Sequence, residues 1–205
     1  MQFVVDSSTI YYFEENKYVL IQDVLSLKER EKLRSLNLPT GFHSVFAHEE
    51  AKKILFQKKL SKIAAKLLSR SILRYAFDVV LGSKSSFFPW TSIDSPKAAL
   101  RKLSTIQPIV GYWLIPLDGA LPFFPFDLEE NGLYFIHGEL EIDWSALTRG
   151  TSTFLIFAYS EGKPQFLPSI HDPLLNKKFK KAGYAYGDVL SFHDAPLLLQ
   201  VRSEE

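Results

Sequence analysis

The segments YAFDVVLG (75–82), IVGYWLIPL (109–117), GLYFIHGELEIDW (132–144), STFLIFAY (152–159), YGDVLSF (186–192) and PLLLQV (196–201) recur along the chain beyond Arg74. Each is rich in β-branched and aromatic residues and is bounded by Gly-, Pro-, Ser- or Asp-containing turns, which is the signature of a strand. Six such runs, mostly not alternating with helices, predict an antiparallel sandwich or barrel rather than a doubly wound parallel sheet. A short helix over 174–182 interrupts the series, and LPFFPFDLEENG (121–132) reads as one long loop.

Upstream of these strands the pattern is different. Tyr18–Val24 (YVLIQDV) reads as a strand that runs into a helix whose start is marked by Ser26 and Glu29 at capping-box spacing. From His48 to Arg70 apolar residues recur at intervals of three and four, which predicts one long amphipathic helix. Lys52, Lys59, Lys62, Lys66 and Arg70 lie on its other face and read as a solvated surface. The expected architecture is one α+β, mainly β domain over residues 1–205, with a helical N-terminal portion to about residue 73 and a strand-rich core from about 74 onward.

Composition narrows the function classes. The 205 residues include 24 basic and 23 acidic side chains, so the chain lacks the positive excess of a dedicated nucleic-acid binder. It has no cysteine, which excludes disulfides, thiolate metal sites and cysteine nucleophiles within this chain. No apolar stretch approaches a membrane span and the first residues do not read as a signal peptide, so no membrane association and a cytoplasmic location are expected. The phosphate-loop, dinucleotide, hydrolase-elbow and zincin motifs are all absent.

Chemistry concentrates in residues 136–144. Read as one strand, this stretch places Ile136, Leu140, Ile142 and Trp144 on one face and His137, Glu139, Glu141 and Asp143 on the other. Such a face suits either a divalent metal or water. A 2-His-1-carboxylate iron site could be assembled from His137, Glu139 and a distant His193, with Arg202 or Arg149 gripping the carboxylate of a keto-acid. His43, His48 and His171 are weaker candidates, since His171 and Asp172 precede Pro173 and read as turn chemistry.

The segment YYFEENKYVLIQDVLSLKEREKLRSL (11–36) resembles the start of phytanoyl-CoA dioxygenase-like proteins, and IVGYWLIPLDG, ENGLYFIHGE and YGDVLSF are similar to later motifs of that family. The resemblance implies a double-stranded β-helix, a cupin-like jelly roll with helices on its outer face. It also implies Fe(II) and 2-oxoglutarate as cofactors and hydroxylation of a small molecule. In that family an H-x-D pair precedes the strand matched by IVGYWLIPL; the corresponding WTSID (90–94) offers Ser92 and Asp94 but no histidine. The family's distal histidine corresponds to a position near Leu198, about five residues beyond His193. RYAFDVVLG (74–82) is similar to small chlamydial proteins of this fold that lack a complete triad. Two functions therefore stand: a binding or interaction module that keeps the fold with a degraded metal site, for a small-molecule or protein partner, or an active dioxygenase.

Overall fold

The computed structural model describes residues 5–82, 97–119, 126, 128–129, 132–148, 151–170 and 172–200. Arg149, His171, Arg202 and the Ser92–Asp94 stretch therefore lie outside the described residues. The chain opens with helix α1 (Ser7–Asn16), capped by the Asp6 carboxylate, which accepts from the Thr9 amide. Strand β1 (Tyr18–Ile21) leads to α2 (Leu27–Ser35), where Ser26 and Glu29 form the full reciprocal capping box. Strand β2 (Gly41–Phe42), helices α3 (Glu49–Leu55) and α4 (Lys58–Leu68) and the long strand β3 (Ile72–Gly82) follow.

Beyond them come β4 (Lys97–Ala99), α5 (Leu100–Leu103), β5 (Ile106–Asp118), β6 (Leu133–His137), β7 (Glu141–Asp143), a 3-10 turn at Trp144–Thr148 and β8 (Thr153–Phe166). Helix α6 (Pro173–Lys181) and strand β9 (Leu197–Gln200) complete the described elements.

Strands β1, β6, β5, β8, β3 and β2 lie in that order in one antiparallel sheet, and β9 pairs with the start of β3. β4 and β7 form a separate pair. The predicted helical portion thus contributes β1 and β2 to the same sheet as the later strands.

Alternation along each strand sorts the core into two layers. Leu155, Phe157 and Tyr159 of β8, with Trp113 and Phe135, face the helices and meet Leu33, Ile63 and Leu67. Phe154, Ile156 and Ala158, with Phe77, Tyr112, Leu114, Tyr134 and Ile136, face the other way. They pack there against Ala98 and Ile142 of the small sheet and against Trp144, Phe166 and Phe179. Both faces of the sheet are therefore buried, which is why its strands read as continuous apolar runs.

Three expected elements take a different form. The long helix expected over 48–70 breaks at Phe56 and Gln57. There the Phe56 ring leaves the helical path to pack on Tyr75 and Phe157, and the Gln57 amide reaches Glu29. The strand expected over 136–144 breaks at Gly138, whose amide donates to the Val110 carbonyl at 3.0 Å. A Cβ at this glycine would overlap the Ile109 carbonyl oxygen, so only glycine lets the chain cross so close to β5. YGDVLSF (186–192) makes one bridge, Val189 to Gln165, rather than a strand.

Candidate functional site

The break at Gly138 decides where the expected ligands go. His137 ends β6 and alternates with Phe135 toward the helix side, so its ring centroid lies 6.1 Å from that of Phe13 in α1. Its Nδ1 accepts the Glu139 amide at 3.2 Å. Burial holds the imidazole below its ordinary pKa; Glu139 opposes this, and Lys17, Arg101 and Arg70 reinforce it. Glu139 sits in the turn, with Oε2 4.0 Å from His137 Nδ1 and Oε1 2.5 Å from Arg101 Nη1. Glu141 begins β7 and pairs with Lys102 at 2.8 Å. His193 lies exposed in the turn before β9. Among the described residues no three of His, Asp and Glu come together as a group that could hold a metal ion.

The space between the two sheets is apolar. Phe77, Tyr112, Tyr134, Trp144, Phe154 and Phe166 are all at most 1% exposed there. The Trp144 indole donates to the Ala98 carbonyl at 2.8 Å and its ring lies 5.8 Å from that of Tyr112. The Tyr112 and Ser160 hydroxyls are buried without a hydrogen-bond partner among the described residues. This layer can pack and fix shape, but it presents no charge to a polar substrate.

The polar chemistry of the sheet lies on the helix side, at the edge of β3. β9 pairs with residues 72–74 of this strand and the Tyr75 amide donates to the Pro196 carbonyl at 2.9 Å, while β2 pairs with residues 79–80 and the Asp78 carbonyl accepts the His43 amide at 2.8 Å; the interval 75–78 between them holds a bulge between Tyr75 and Phe77. A chain of three side chains fills that interval. The Tyr75 hydroxyl donates to Asp78 Oδ1 at 2.6 Å and lies 2.9 Å from His43 Nδ1. With the tyrosine proton committed to Asp78, the hydroxyl oxygen accepts from His43, so Nδ1 carries the imidazole proton. The buried His43 Nε2 has no hydrogen-bond partner among the described residues.

Asp78 also accepts the Val45 amide at 2.8 Å and the Phe46 amide at 3.0 Å, and so ties the β2–α3 connection to the sheet. Burial raises the Asp78 pKa, and the Tyr75, Val45 and Phe46 bonds partly offset that rise. Burial, and then the charge of Lys178, push His43 down to about 3. His43 is held at φ 59°, an uncommon conformation for a non-glycine residue. Buried, pKa-shifted side chains beside a bulge and an unusual backbone angle are a recurrent mark of functional positions, although here the same carboxylate also anchors a turn. The sequence signal was Asp78 inside YAFDVVLG, a carboxylate in an otherwise apolar strand.

A second buried carboxylate, Asp172, caps α6 by accepting the Leu175 amide at 3.1 Å, and burial lifts it to about 7. It does the turn work that its place before Pro173 predicted.

No protein-family model matches the chain, and no curated protein sequence does. Solved structures do. The non-heme α-ketoglutarate-dependent carbocyclase SnoK from nogalamycin biosynthesis superposes with a TM-score of 0.69 at 13% identity, over 94% of this chain and 96% of its own. The α-ketoglutarate-dependent epimerase SnoN from the same biosynthesis gives 0.68 at 11% identity, over 98% and 100%. CT296 from Chlamydia trachomatis gives 0.50 at 17% identity, over 79% and 99%. At these identities the likeness is one of fold: the chain shares the fold of non-heme iron, α-ketoglutarate-dependent enzymes and of CT296.

Proposed function

We propose that this chain is a double-stranded β-helix protein of the iron and 2-oxoglutarate oxygenase type that works as a binding or interaction module rather than as an oxygenase. The observation that carries this reading is the apolar filling between the two sheets, from Phe77 and Tyr112 across to Trp144. A 2-His-1-carboxylate iron centre needs two imidazoles and a carboxylate converging on one ion with positions left open. The described residues do not fit that group. His137 turns to the helix side, Glu139 is engaged by Arg101 at the rim, and the layer between the sheets is hydrocarbon and aromatic. SnoK and SnoN carry their chemistry on this fold, but a fold does not bring its chemistry with it.

The alternative is a dioxygenase with His137, Glu139 and His193 as iron ligands and Arg202 or Arg149 on the 2-oxoglutarate carboxylate. The 4.0 Å approach of Glu139 to His137 is the observation in its favour. Anaerobic Fe(II) titration by calorimetry, with and without 2-oxoglutarate, separates the two, together with an oxygen-dependent succinate assay. The module reading expects no saturable iron binding and no succinate. Saturable binding that disappears in His137→Ala would overturn it.

A further inference from the structure

The chain as a whole is nearly neutral, but its lysines are not treated alike. Lys52 and Lys53 of α3 pair with Glu49 and Glu50 at 2.6 Å, Lys59 of α4 pairs with Glu29 at 2.9 Å, and Lys102 of α5 pairs with Glu141 at 2.8 Å. Helix α6 carries Lys177, Lys178, Lys180 and Lys181 within five residues, all exposed, and none has an ion pair among the described residues. Lys177 and Lys181 share with Leu174 the side of the helix away from the buried Leu175 and Phe179, whereas the Lys178 ammonium lies 5.4 Å from the Phe179 ring centroid.

Nearby carboxylates are committed elsewhere. Asp188 accepts the Ala185 amide, Asp194 accepts the Tyr184 and Ser191 hydroxyls, and Asp172 is buried at the helix start. Like charges four apart oppose helix stability, while cations in the last turn complement the helix dipole, so the two effects roughly offset.

The same part of the chain holds most of the exposed large apolar side chains. Ile170 is 82% exposed, Tyr186 78% and Phe192 67%, and Leu174 and Val189 are about half exposed. They flank the lysines in sequence, Ile170 and Leu174 before them and Tyr186, Val189 and Phe192 after them, rather than forming one continuous run. A folded partner needs a contiguous, shape-matched surface. A lipid interface accepts separate apolar tips and draws lysines to its headgroups.

From these features we infer that the α6 end of the molecule, helix α6 with the turns that carry Tyr186 and Phe192, is a peripheral docking surface for an anionic lipid membrane. Lys177 and Lys181 would contact the headgroups, and Leu174 and Tyr186 would enter the interfacial layer. Docking of this kind requires no spanning helix, and among the described residues no helix is long and apolar enough to cross a membrane. The inference rests on the binding-module reading and names a partner for it. Its readout needs no iron, so its failure is distinguishable from a positive iron titration.

The test is flotation of the full chain with vesicles of phosphatidylcholine alone or with about one part in four phosphatidylserine, at low and high salt. The protein is expected to float with the serine-containing vesicles at low salt only. K177Q/K181Q should bind them roughly 25-fold more weakly, at about fivefold per lysine. Tyr186→Ser should weaken binding while leaving its salt dependence unchanged, and both variants should keep the parent thermal midpoint, since the altered side chains are exposed. Equal flotation with both vesicle types would overturn the inference. So would undiminished binding by K177Q/K181Q, or salt-sensitive binding to polyglutamate with none to vesicles, which would point to an acidic protein instead.

Discussion

Both faces of the large sheet bury aromatic rings, and they differ in how polar contacts join those rings. On the helix side rings are stitched together by polar contacts: Trp113 donates to the Tyr159 hydroxyl at 3.0 Å, and His43, Tyr75 and Asp78 form a continuous chain. Between the sheets the polar contacts run from single rings to the backbone: Trp144 donates to the Ala98 carbonyl and the Tyr134 hydroxyl accepts the Glu129 amide, while the Tyr112 hydroxyl has no hydrogen-bond partner among the described residues. Hydrogen bonds fix the angle at which side chains meet, whereas apolar burial rewards any arrangement that excludes water. The helix side therefore sets how α3 and α4 dock, while the inner layer supplies bulk cohesion.

The comparison is broken most forcefully from the inner layer. Trp144 is 1% exposed and bridges the small sheet to the large one, so Trp144→Ala leaves a cavity and an unpaired Ala98 carbonyl. The expected loss is about 3–5 kcal/mol in urea unfolding. A loss below roughly 1 kcal/mol would mean that the layer is loosely filled and has room for a ligand, contrary to the module reading.

On the helix side the sharper probe is pH. Folded His43 titrates at about 3, against 6.5 for an ordinary histidine. Between these values the unfolded chain holds a proton that the folded chain refuses, so the stability due to neutral His43 is complete above 6.5 and is lost as pH falls toward 3. His43→Asn should cost roughly 1–3 kcal/mol near neutrality, through the lost bond to Tyr75. Because asparagine takes up no proton, the gap to the parent protein should close on acidification. Unfolding curves of both proteins across this range check it; a gap independent of pH would show that His43 stays protonated, or exchanges freely with water, in the fold.

How much of this could be read in the sequence follows from the range of the interactions. The Ser26–Glu29 capping box, the helix opening at Asp172–Pro173 and the runs that became β3, β5, β8 and β9 are local, and they were legible. Gly138 was legible only as a glycine, because the reason for it is the Ile109 carbonyl across the sheet. The same holds for the helix break at Phe56, whose cause is an aromatic pocket around Tyr75 and Phe157. The His137–Glu139 pair was found because the residues lie two apart, and the structure keeps them adjacent across a turn rather than along a strand. The His43–Tyr75–Asp78 chain spans more than thirty residues of sequence, so nothing local could announce it.

The smallest expected effect tests whether the corner at Gly138 is a site or a rim. Glu139 and Arg101 are each about half exposed, and the energy of such a pair is mostly screened by water and salt even at 2.5 Å. Glu139→Gln should therefore change stability by no more than about 0.5–1 kcal/mol, and less at high salt. The glutamine keeps the backbone amide that His137 accepts, so the imidazole should stay in place. With the Glu139 charge gone, its opposition to burial is removed and the His137 pKa should fall further, which a proton NMR titration of the ring reads directly. That fall should be small; a large one, or a loss of stability well above the surface-pair range, would mean that Glu139 is coupled to His137 as a built pair and would restore weight to the metal-ligand reading of this corner.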